Sequence, residues 1–263
     1  MMVVARRWSW ALVLVVGLVL FEAVQHAILV TGNPNLVPAL ILLGAAVMPA
    51  AFLAFVAGRR LVFGISGGAV ALTALIGGVI GVVTAGLLEF DTLRRLGAVP
   101  MLAVGLIEEA AKLIAPLAIV IYIRHRHLAD GLLVGVASGA GFAALETMGY
   151  AFVVLLQSHG NLAVVDDVLF LRGVLSPAAH MAWTGLIAAA LWRAADQRWH
   201  AGALARLAGV YLLAVALHTT WDSAVDPRGY LIIALISLVA LAVTAHRLAA
   251  PEHQPGTLAV QHR

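Results

Sequence analysis

Long apolar stretches follow one another along this chain, and short polar segments separate them. A helix needs about 20 predominantly apolar residues to cross a bilayer. Eight stretches have about this length: Trp8–Val30, Leu36–Ala57, Leu61–Leu88, Ala98–Ile123, Leu128–Gln157, Val174–Ala194, Ala203–Ser223 and Tyr230–Leu248. The pattern therefore predicts an all-α, polytopic integral membrane helix bundle of about eight transmembrane helices.

The segments between these stretches contain residues that break helices or carry charge. The clearest breaks are Gly32–Asn35, Glu89–Arg95 and Asp226–Gly229. Ser176 and Pro177 predict an N-cap followed by proline at the first position of the sixth helix. The glycine-rich pieces Gly64–Gly68 and Gly77–Gly81 predict close approach between helices, because glycine has no side chain to hold two backbones apart.

The composition agrees with a membrane protein and leaves no room for a separate soluble domain. Hydrophobic residues make up 63% of the chain and charged residues 11%, whereas soluble domains are about 45–50% apolar and about 25% charged. We therefore expect a single transmembrane domain over residues 1–263, with a motif core at 98–223. The first apolar run reaches Val30, which is too long for a signal peptide, so we expect an uncleaved first helix. Cysteine is absent, which excludes disulfides, thiolate zinc sites and a cysteine nucleophile.

Arginines are distributed unevenly between the two ends of the predicted helices. Eleven lie at one end: Arg6, Arg7, Arg59, Arg60, Arg124, Arg126, Arg193, Arg198, Arg206, Arg247 and Arg263. Four lie at the other: Arg94, Arg95, Arg172 and Arg228. Short cytoplasmic segments are enriched in basic residues, so both termini are predicted to be cytoplasmic. The basic charge is thus explained by topology, and we expect membrane lipid rather than nucleic acid as a partner.

Away from the cytoplasmic ends of the predicted spans, nine charged or histidine residues lie inside them, where an ionisable group costs roughly 2.5–3.5 kcal/mol and marks a functional site by default. They are Glu22, His26, Glu108, Glu109, Lys112, Glu146, His180, His218 and Asp222. A single such residue is also explained by a helix end that reaches the headgroups, or by a structural hydrogen bond between helices. Recurrent spacing argues against that explanation here, because residues four apart share a helix face. Three pairs have this spacing: Glu22 and His26, Glu108 and Lys112, and His218 and Asp222.

The predicted depths of these residues agree with one another. With a cytoplasmic N-terminus, Glu108 lies about ten residues from the external end of its helix, or roughly 15 Å. Glu146 lies a similar distance from the external end of its own helix, and His180 and His218 lie somewhat nearer to theirs. All of them fall in the outer half of the membrane. This predicts one site, in a cavity that is reached from the external side.

Carboxylates and histidines without cysteine are suited to peptide hydrolysis. Glu108 or Glu109 can act as general base on water, and Lys112 can neutralise one of them while the other stays available. The four-residue interval to Lys112 favours Glu108. His218, with Asp222 beside it, can stabilise an oxyanion. Alternatively, the trio Glu146, His180 and His218 can hold one zinc ion, although the compact His-Glu-x-x-His signature is absent. Both versions remain open.

The motifs around these residues together resemble one known family. Glu-Glu-x-x-Lys at 108–112, Phe-x-x-x-Glu at 142–146, His180, and His-x-x-x-Asp at 218–222 occur in the order found in the PrsW-like intramembrane proteases, which are distantly related to the Abi/CAAX-processing endopeptidases. In the CAAX-type enzymes the second motif ends in histidine, where this chain has Glu146.

The resemblance implies a membrane endopeptidase, usually of the metalloprotease type, in a bacterial plasma membrane. Its expected substrate is a membrane-anchored protein cut near the extracytoplasmic face, as in regulated proteolysis of an anti-sigma factor. It also implies catalytic roles for Glu108, Glu109, Lys112, Glu146, His180, His218 and Asp222.

Two other functions are compatible with buried carboxylates and histidines. A transporter or proton relay uses such chains of residues, but the eight predicted helices show no inverted repeat. A non-catalytic membrane scaffold or immunity-type protein could keep the same fold. Loss of cleavage in Glu108→Gln or Glu109→Gln would separate hydrolysis from both.

Overall fold

Ten α-helices and two short 3₁₀ helices, with no strand, make up the part of the chain that the structure describes. A computed structural model describes residues 2–122 and 127–249, with side chains from Arg7 onward. The α-helices are α1 (Met2–Thr31), α2 (Val37–Ala57), α3 (Gly67–Leu96), α4 (Met101–Lys112), α5 (Ile114–Tyr122), α6 (Leu128–Gln157), α7 (Leu162–Leu175), α8 (His180–Asp196), α9 (Ala201–Asp222) and α10 (Pro227–Ala249). The 3₁₀ helices are Pro34–Leu36 and Ser176–Ala178. The predicted all-α membrane bundle is confirmed.

Six helices of the described residues are long and apolar enough to cross a bilayer: α1, α2, α3, α6, α9 and α10. The fourth predicted span is divided between α4 and α5, and the sixth is reduced to α8, which has 17 residues. Some residues of the sequence argument lie outside the described side chains: Arg6, Ile123, Arg124, Arg126 and Arg263.

Several predicted boundaries were wrong. Glu89–Arg95, expected to be a loop, forms the last turns of α3, which ends where Gly97 adopts a φ of 72°. Ser176 is not an N-cap: it is the C-cap of α7, its Oγ donates to the Gly173 carbonyl oxygen, and α8 begins only at His180. The segment after α6 was expected to be a loop, but it contains α7.

The break between α4 and α5 has a local cause in Pro116. Proline has no N–H, so it cannot bond the carbonyl oxygen four residues earlier, which belongs to Lys112. The Ser138 hydroxyl on α6 donates to that oxygen at 2.7 Å. The break is therefore satisfied by a neighbouring helix, and it occurs directly after the motif lysine.

Helix α6 lies at the centre of the bundle and is mostly buried. It packs against α8 through Gly131, Gly135 and Gly139, and a Cβ at Gly139 would lie 2.5 Å from the His180 carbonyl oxygen. On its other side, a Cβ at Gly141 would overlap the Ala74 carbonyl oxygen of α3. These glycines allow close backbone contact, which brings the motif residues of α6 and α8 together.

The glycine-rich pieces behave differently from each other. Gly77, Gly78 and Gly81 lie against α6, as predicted. In the piece Gly64–Gly68, a Cβ at Gly64 would lie 3.2 Å from Asp130 Oδ2 of α6, but the prediction was wrong for Gly67 and Gly68, where nothing lies within 4 Å of a Cβ.

Helices α1 and α2 form a hairpin at the edge of the bundle. Helix α1 packs mainly on α2 and is otherwise mostly exposed. Its Gln25 side chain donates to Asp166 of α7 at 2.6 Å. The hairpin is thus attached beside α7, away from α9 and α10.

Candidate active site

The seven residues predicted for the site come together between four helices. Helix α4 supplies Glu108, Glu109 and Lys112, α6 supplies Glu146, α8 supplies His180, and α9 supplies His218 and Asp222. Helices α4 and α9 approach closely at Gly105, where a Cβ would lie 2.9 Å from Thr219 Oγ1. This contact lets the α9 histidine reach both glutamates of α4.

Lys112 is fully buried and joins three of these helices. Its Nζ lies 2.7 Å from Glu109 Oε1, 2.8 Å from His180 Nδ1 and 3.5 Å from Glu108 Oε2. Of the three N–H donors of an ammonium group, one therefore reaches Glu109 and one His180, whereas Glu108 lies at ion-pair distance. The nitrogen also lies 4.5 Å from the centre of the Phe142 ring. The lysine thus pairs most closely with Glu109 and leaves Glu108 the freer carboxylate.

His218 has a carboxylate near each of its ring nitrogens. Its Nδ1 lies 2.8 Å from Glu109 Oε1, and its Nε2 lies 3.1 Å from Asp222 Oδ2 and 3.5 Å from Glu108 Oε2. The Trp183 ring stacks on the imidazole, with the ring centres 5.0 Å apart. A carboxylate partner at one nitrogen fixes the orientation of the ring and the reactivity of the other nitrogen. Glu109 therefore orients His218, and Nε2 faces Glu108.

Glu146 and His180 are connected to a residue that sequence reasoning missed. Arg172 of α7 donates to Glu146 Oε2, and the same oxygen lies 3.0 Å from His180 Nε2. The Arg172 guanidinium lies 4.0 Å above the Tyr150 ring. From the distribution of arginines, Arg172 was predicted to lie in an external loop. Helix α7 has 14 residues, which is too short to cross a bilayer but long enough for an interfacial helix. The length of this apolar segment was the signal in the sequence that could have predicted a helix here.

A cavity of about 360 Å³ lies beside these residues. Glu89, Glu108, Arg172, His180 and Asp222 contribute to its wall. It lies near the C-terminal ends of α3 and α9, at the end of the bundle predicted to be external. Glu89 was assigned to a loop, yet it faces this cavity from the last turns of α3.

The two adjacent glutamates differ in their access to the cavity. Glu109 is completely buried and does not line it, whereas Glu108 lines it and is 7% exposed. The Oε2 atom of Glu108 is buried without a hydrogen-bond partner. Among the motif glutamates of α4, Glu108 is thus the one that can act on a molecule in the cavity.

The arrangement fits a metal ion, with one change to the predicted trio. Ligand atoms of Glu108, His180 and His218 all lie within 4.8 Å of one another, so Glu108 takes the place predicted for Glu146. Two ligands of one tetrahedral zinc lie roughly 3.3–3.5 Å apart, because the bonds are about 2.0–2.2 Å long. Glu108 Oε2 and His218 Nε2 are 3.5 Å apart. Both nitrogens of His180 and both nitrogens of His218 contact other residues, so each histidine must exchange one contact to bind an ion.

Two polar residues of the predicted spans lie elsewhere. Glu22 and His26 are exposed on α1, and neither lines the cavity. They make no hydrogen bond or ion pair with the described residues. The structure therefore does not bring them to the site.

One family model matches most of the chain. The model described as PrsW family intramembrane metalloprotease matches residues 56–246. The match covers α3 to α9 and most of α10, and it leaves out α1 and nearly all of α2. No curated protein and no solved structure matches the chain.

Proposed function

Since this chain belongs to the PrsW family of intramembrane metalloproteases, we propose that it cuts a membrane-anchored protein near the extracytoplasmic face of a bacterial plasma membrane. It is a multi-pass membrane peptidase. The observation that supports the proposal is the free oxygen of Glu108, a buried carboxylate that faces the cavity. A cavity at the end predicted to be external can receive the chain of a substrate where that chain leaves the membrane.

Glu108 is the residue on which hydrolysis depends in this proposal. In the metal-free version its carboxylate accepts a proton from the attacking water and returns it to the leaving amine. His218 is 3.5 Å away through Nε2 and donates a hydrogen bond to the developing oxyanion. Asp222 and Glu109 hold the His218 ring from its two nitrogens, and Nε2–H exchanges Asp222 for the oxyanion when the charge appears.

In the metal version, Glu108, His180 and His218 would hold one zinc ion. When bound, zinc polarises the scissile carbonyl and acidifies a water molecule. Lys112 and Glu109 contact each other and the two histidines, and each histidine would give up one of its contacts to a bound ion. Arg172 and Glu146 orient His180 from the opposite side.

Identification of new protein N-termini tests the reaction and the substrate class. Membranes from cells that express the wild-type chain are compared with membranes from cells that express Glu108→Gln. We expect fragments that depend on the wild-type chain and that begin within a few residues of the extracytoplasmic end of a membrane span. Regulated proteolysis of an anti-sigma factor predicts that one such fragment comes from a regulator with a single span. If both cell types give the same fragments, the proposed activity is wrong.

Zinc content separates the two roles of Glu108. Purified wild-type protein and Glu108→Gln are analysed for bound zinc and for cleavage of a substrate found by the first experiment. Loss of zinc together with cleavage in Glu108→Gln identifies Glu108 as a ligand. Lost cleavage with zinc absent from both proteins, or retained in both, identifies it as the proton acceptor. Retained cleavage in Glu108→Gln would exclude both roles.

A further inference from the structure

Helix α1 carries a regular stripe of exposed residues on the side that faces away from the bundle. Its members are Leu12, Val15, Val19, Glu22, His26 and Leu29. Their spacing alternates between three and four residues, which is the repeat of helices that pair along a seam. We call this set the α1 stripe. Gly17 and Ile28 are buried on the opposite face, where α1 packs against α2.

The two polar residues of the α1 stripe occupy its inner positions. Glu22 and His26 are adjacent members of the stripe, with apolar members on both sides. Each is exposed, although ionisable groups within a span are costly and almost always face protein or water. The neighbouring Gln25 does have a partner, since it donates to Asp166 of α7. Glu22 and His26 have no hydrogen bond or ion pair with the described residues, so a second molecule can supply one.

We propose that the α1 stripe pairs with the same stripe of a second copy of this chain. Two copies inserted in the same orientation place their α1 helices parallel around a two-fold axis. In a parallel seam, each member of the stripe meets its own counterpart and also the neighbouring members of the other stripe. Glu22 of each copy then lies next to His26 of the other, so the symmetry gives two carboxylate–imidazole contacts.

The chemistry of the α1 stripe favours a second copy over a different helix. A carboxylate and an imidazole complement each other, so the stripe is complementary to itself in the parallel arrangement. Polar side chains that bond across helices hold membrane helices together. A single polar position in a seam also fixes the register and the number of helices. In addition, α1 lies outside residues 56–246 that match the family model, so this surface is a feature of this chain beyond the family core.

Disulfide formation in native membranes tests the pairing. The chain has no cysteine, so a single introduced thiol reports on its own position. Val19→Cys places the thiol on the α1 stripe. Leu20→Cys is the matched control, since Leu20 is also exposed but one residue further along points about 100° away. We expect mild oxidation to give a covalent dimer with Val19→Cys and little or none with Leu20→Cys.

Variants at the two polar positions test the contact itself. In the Val19→Cys background, Glu22→Leu combined with His26→Leu should lower dimer formation about tenfold, because two interhelical polar contacts are lost. These changes remove polar groups from an exposed helix face, so folding should be preserved. The exchange Glu22→His with His26→Glu restores the complementary pair and should restore the dimer.

Three results would overturn the proposal. Equal disulfide formation by Val19→Cys and Leu20→Cys would indicate random collision. A Val19→Cys product with the mass of a different protein would assign the α1 stripe to another helix, such as that of a substrate. An exchanged variant as weak as the double leucine variant would exclude the Glu22–His26 contact. None of these results depends on whether the chain cleaves a substrate.

Discussion

At the scale of single residues, the adjacent glutamates of α4 have different neighbours and therefore different tasks. Glu109 is completely buried and contacts Lys112 at 2.7 Å and His218 at 2.8 Å. Glu108 contacts the same two residues only at 3.5 Å and lines the cavity. Removing one member of a buried ion pair leaves the other charge uncompensated. We therefore assign Glu109 to the stability of the site and Glu108 to its chemistry.

Glu109→Gln should unfold more easily than Glu108→Gln. The loss of a buried charge partner destabilises by roughly 3–5 kcal/mol, whereas Glu108 has an oxygen without a hydrogen-bond partner to lose. Thermal unfolding of both variants in lipid nanodiscs measures the difference. Equal unfolding temperatures for the two variants would contradict the assignment of Glu109 to stability and Glu108 to chemistry.

Arg172→Gln should weaken zinc binding without unfolding the bundle. Arg172 holds Glu146, which in turn contacts His180. Changes to residues that orient a metal ligand typically cost 10–100-fold in affinity. Competition with a chelator of known affinity measures the affinity of the variant for zinc. Arg228→Gln is the control, because Arg228 lies at the same end of the bundle and is exposed. An affinity in Arg172→Gln equal to that of the control would show that Arg172 does not orient the site.

The sequence predicted the composition of the site better than the contacts within it. Helical spacing, matching depths and the family motifs together selected all seven residues that the structure brings together. The partner of Glu146 was not predicted, because Arg172 belongs to a helix between two spans and carries no motif. The assignment of Glu108 to the candidate metal trio was also missed. Which of two adjacent residues faces a cavity depends on how α4 is rotated against α9, and spacing within α4 does not report that rotation.

At the scale of helices, the central position of α6 depends on glycines that face two neighbours. Gly139 lies against the first residue of α8, and Gly141 lies against α3. The side chains of Phe142 and Glu146 follow on the same helix and point to the site. The approach of the three helices therefore sets the distance between Glu146 and His180.

Gly141→Ala and Gly149→Ala should have opposite effects on stability. A Cβ at Gly141 would overlap the Ala74 carbonyl oxygen, whereas nothing lies within 4 Å of a Cβ at Gly149. Overpacking of this kind costs about 1–3 kcal/mol. Alanine in place of an unconstrained helical glycine stabilises by roughly 0.5–1 kcal/mol. Unfolding in a denaturant series compares the two variants. A Gly141→Ala protein as stable as the wild type would contradict the close packing of α3 and α6.

The bounds of a helix were predictable from the sequence where hydrophobicity alone determines where the helix begins and ends. Helix α6 has the predicted bounds, Leu128–Gln157. Errors arose where a local rule or a contact interrupted an apolar run. Pro116 divides the fourth run, although the run is apolar throughout its second half. The last turns of α3 contain charged residues, which resemble a loop in sequence but continue the helix, and Arg95 pairs there with Asp91 at 2.8 Å.

At the scale of the whole molecule, the arginine distribution predicts the direction in which the cavity faces. The two ends of the bundle differ in basic residues, and the cavity lies at the arginine-poor end. If both termini are cytoplasmic, Glu89 and Asp222 approach the extracytoplasmic surface.

Thiol labelling of intact cells should confirm this orientation. Val225 lies between α9 and α10 and is 97% exposed, and Arg60 lies between α2 and α3 at the opposite end. An impermeant reagent should label Val225→Cys in intact cells and Arg60→Cys only after the membrane is opened. The absence of native cysteine makes either signal unambiguous. Labelling of Arg60→Cys in intact cells would reverse the predicted topology and place the cavity toward the cytoplasm.

The ion pair of α4 also has a consequence for biosynthesis. Glu108, Glu109 and Lys112 each carry an energetic cost of insertion into lipid. Each would therefore oppose the insertion of α4 if this helix entered the membrane without the rest of the bundle. Glu109 and Lys112 neutralise each other within the segment, but His180 and His218 belong to helices that are synthesised later. Helix α4, which supplies three residues of the candidate active site, is thus poorly able to insert by itself. Its retention in the membrane depends on helices that the ribosome has not yet made.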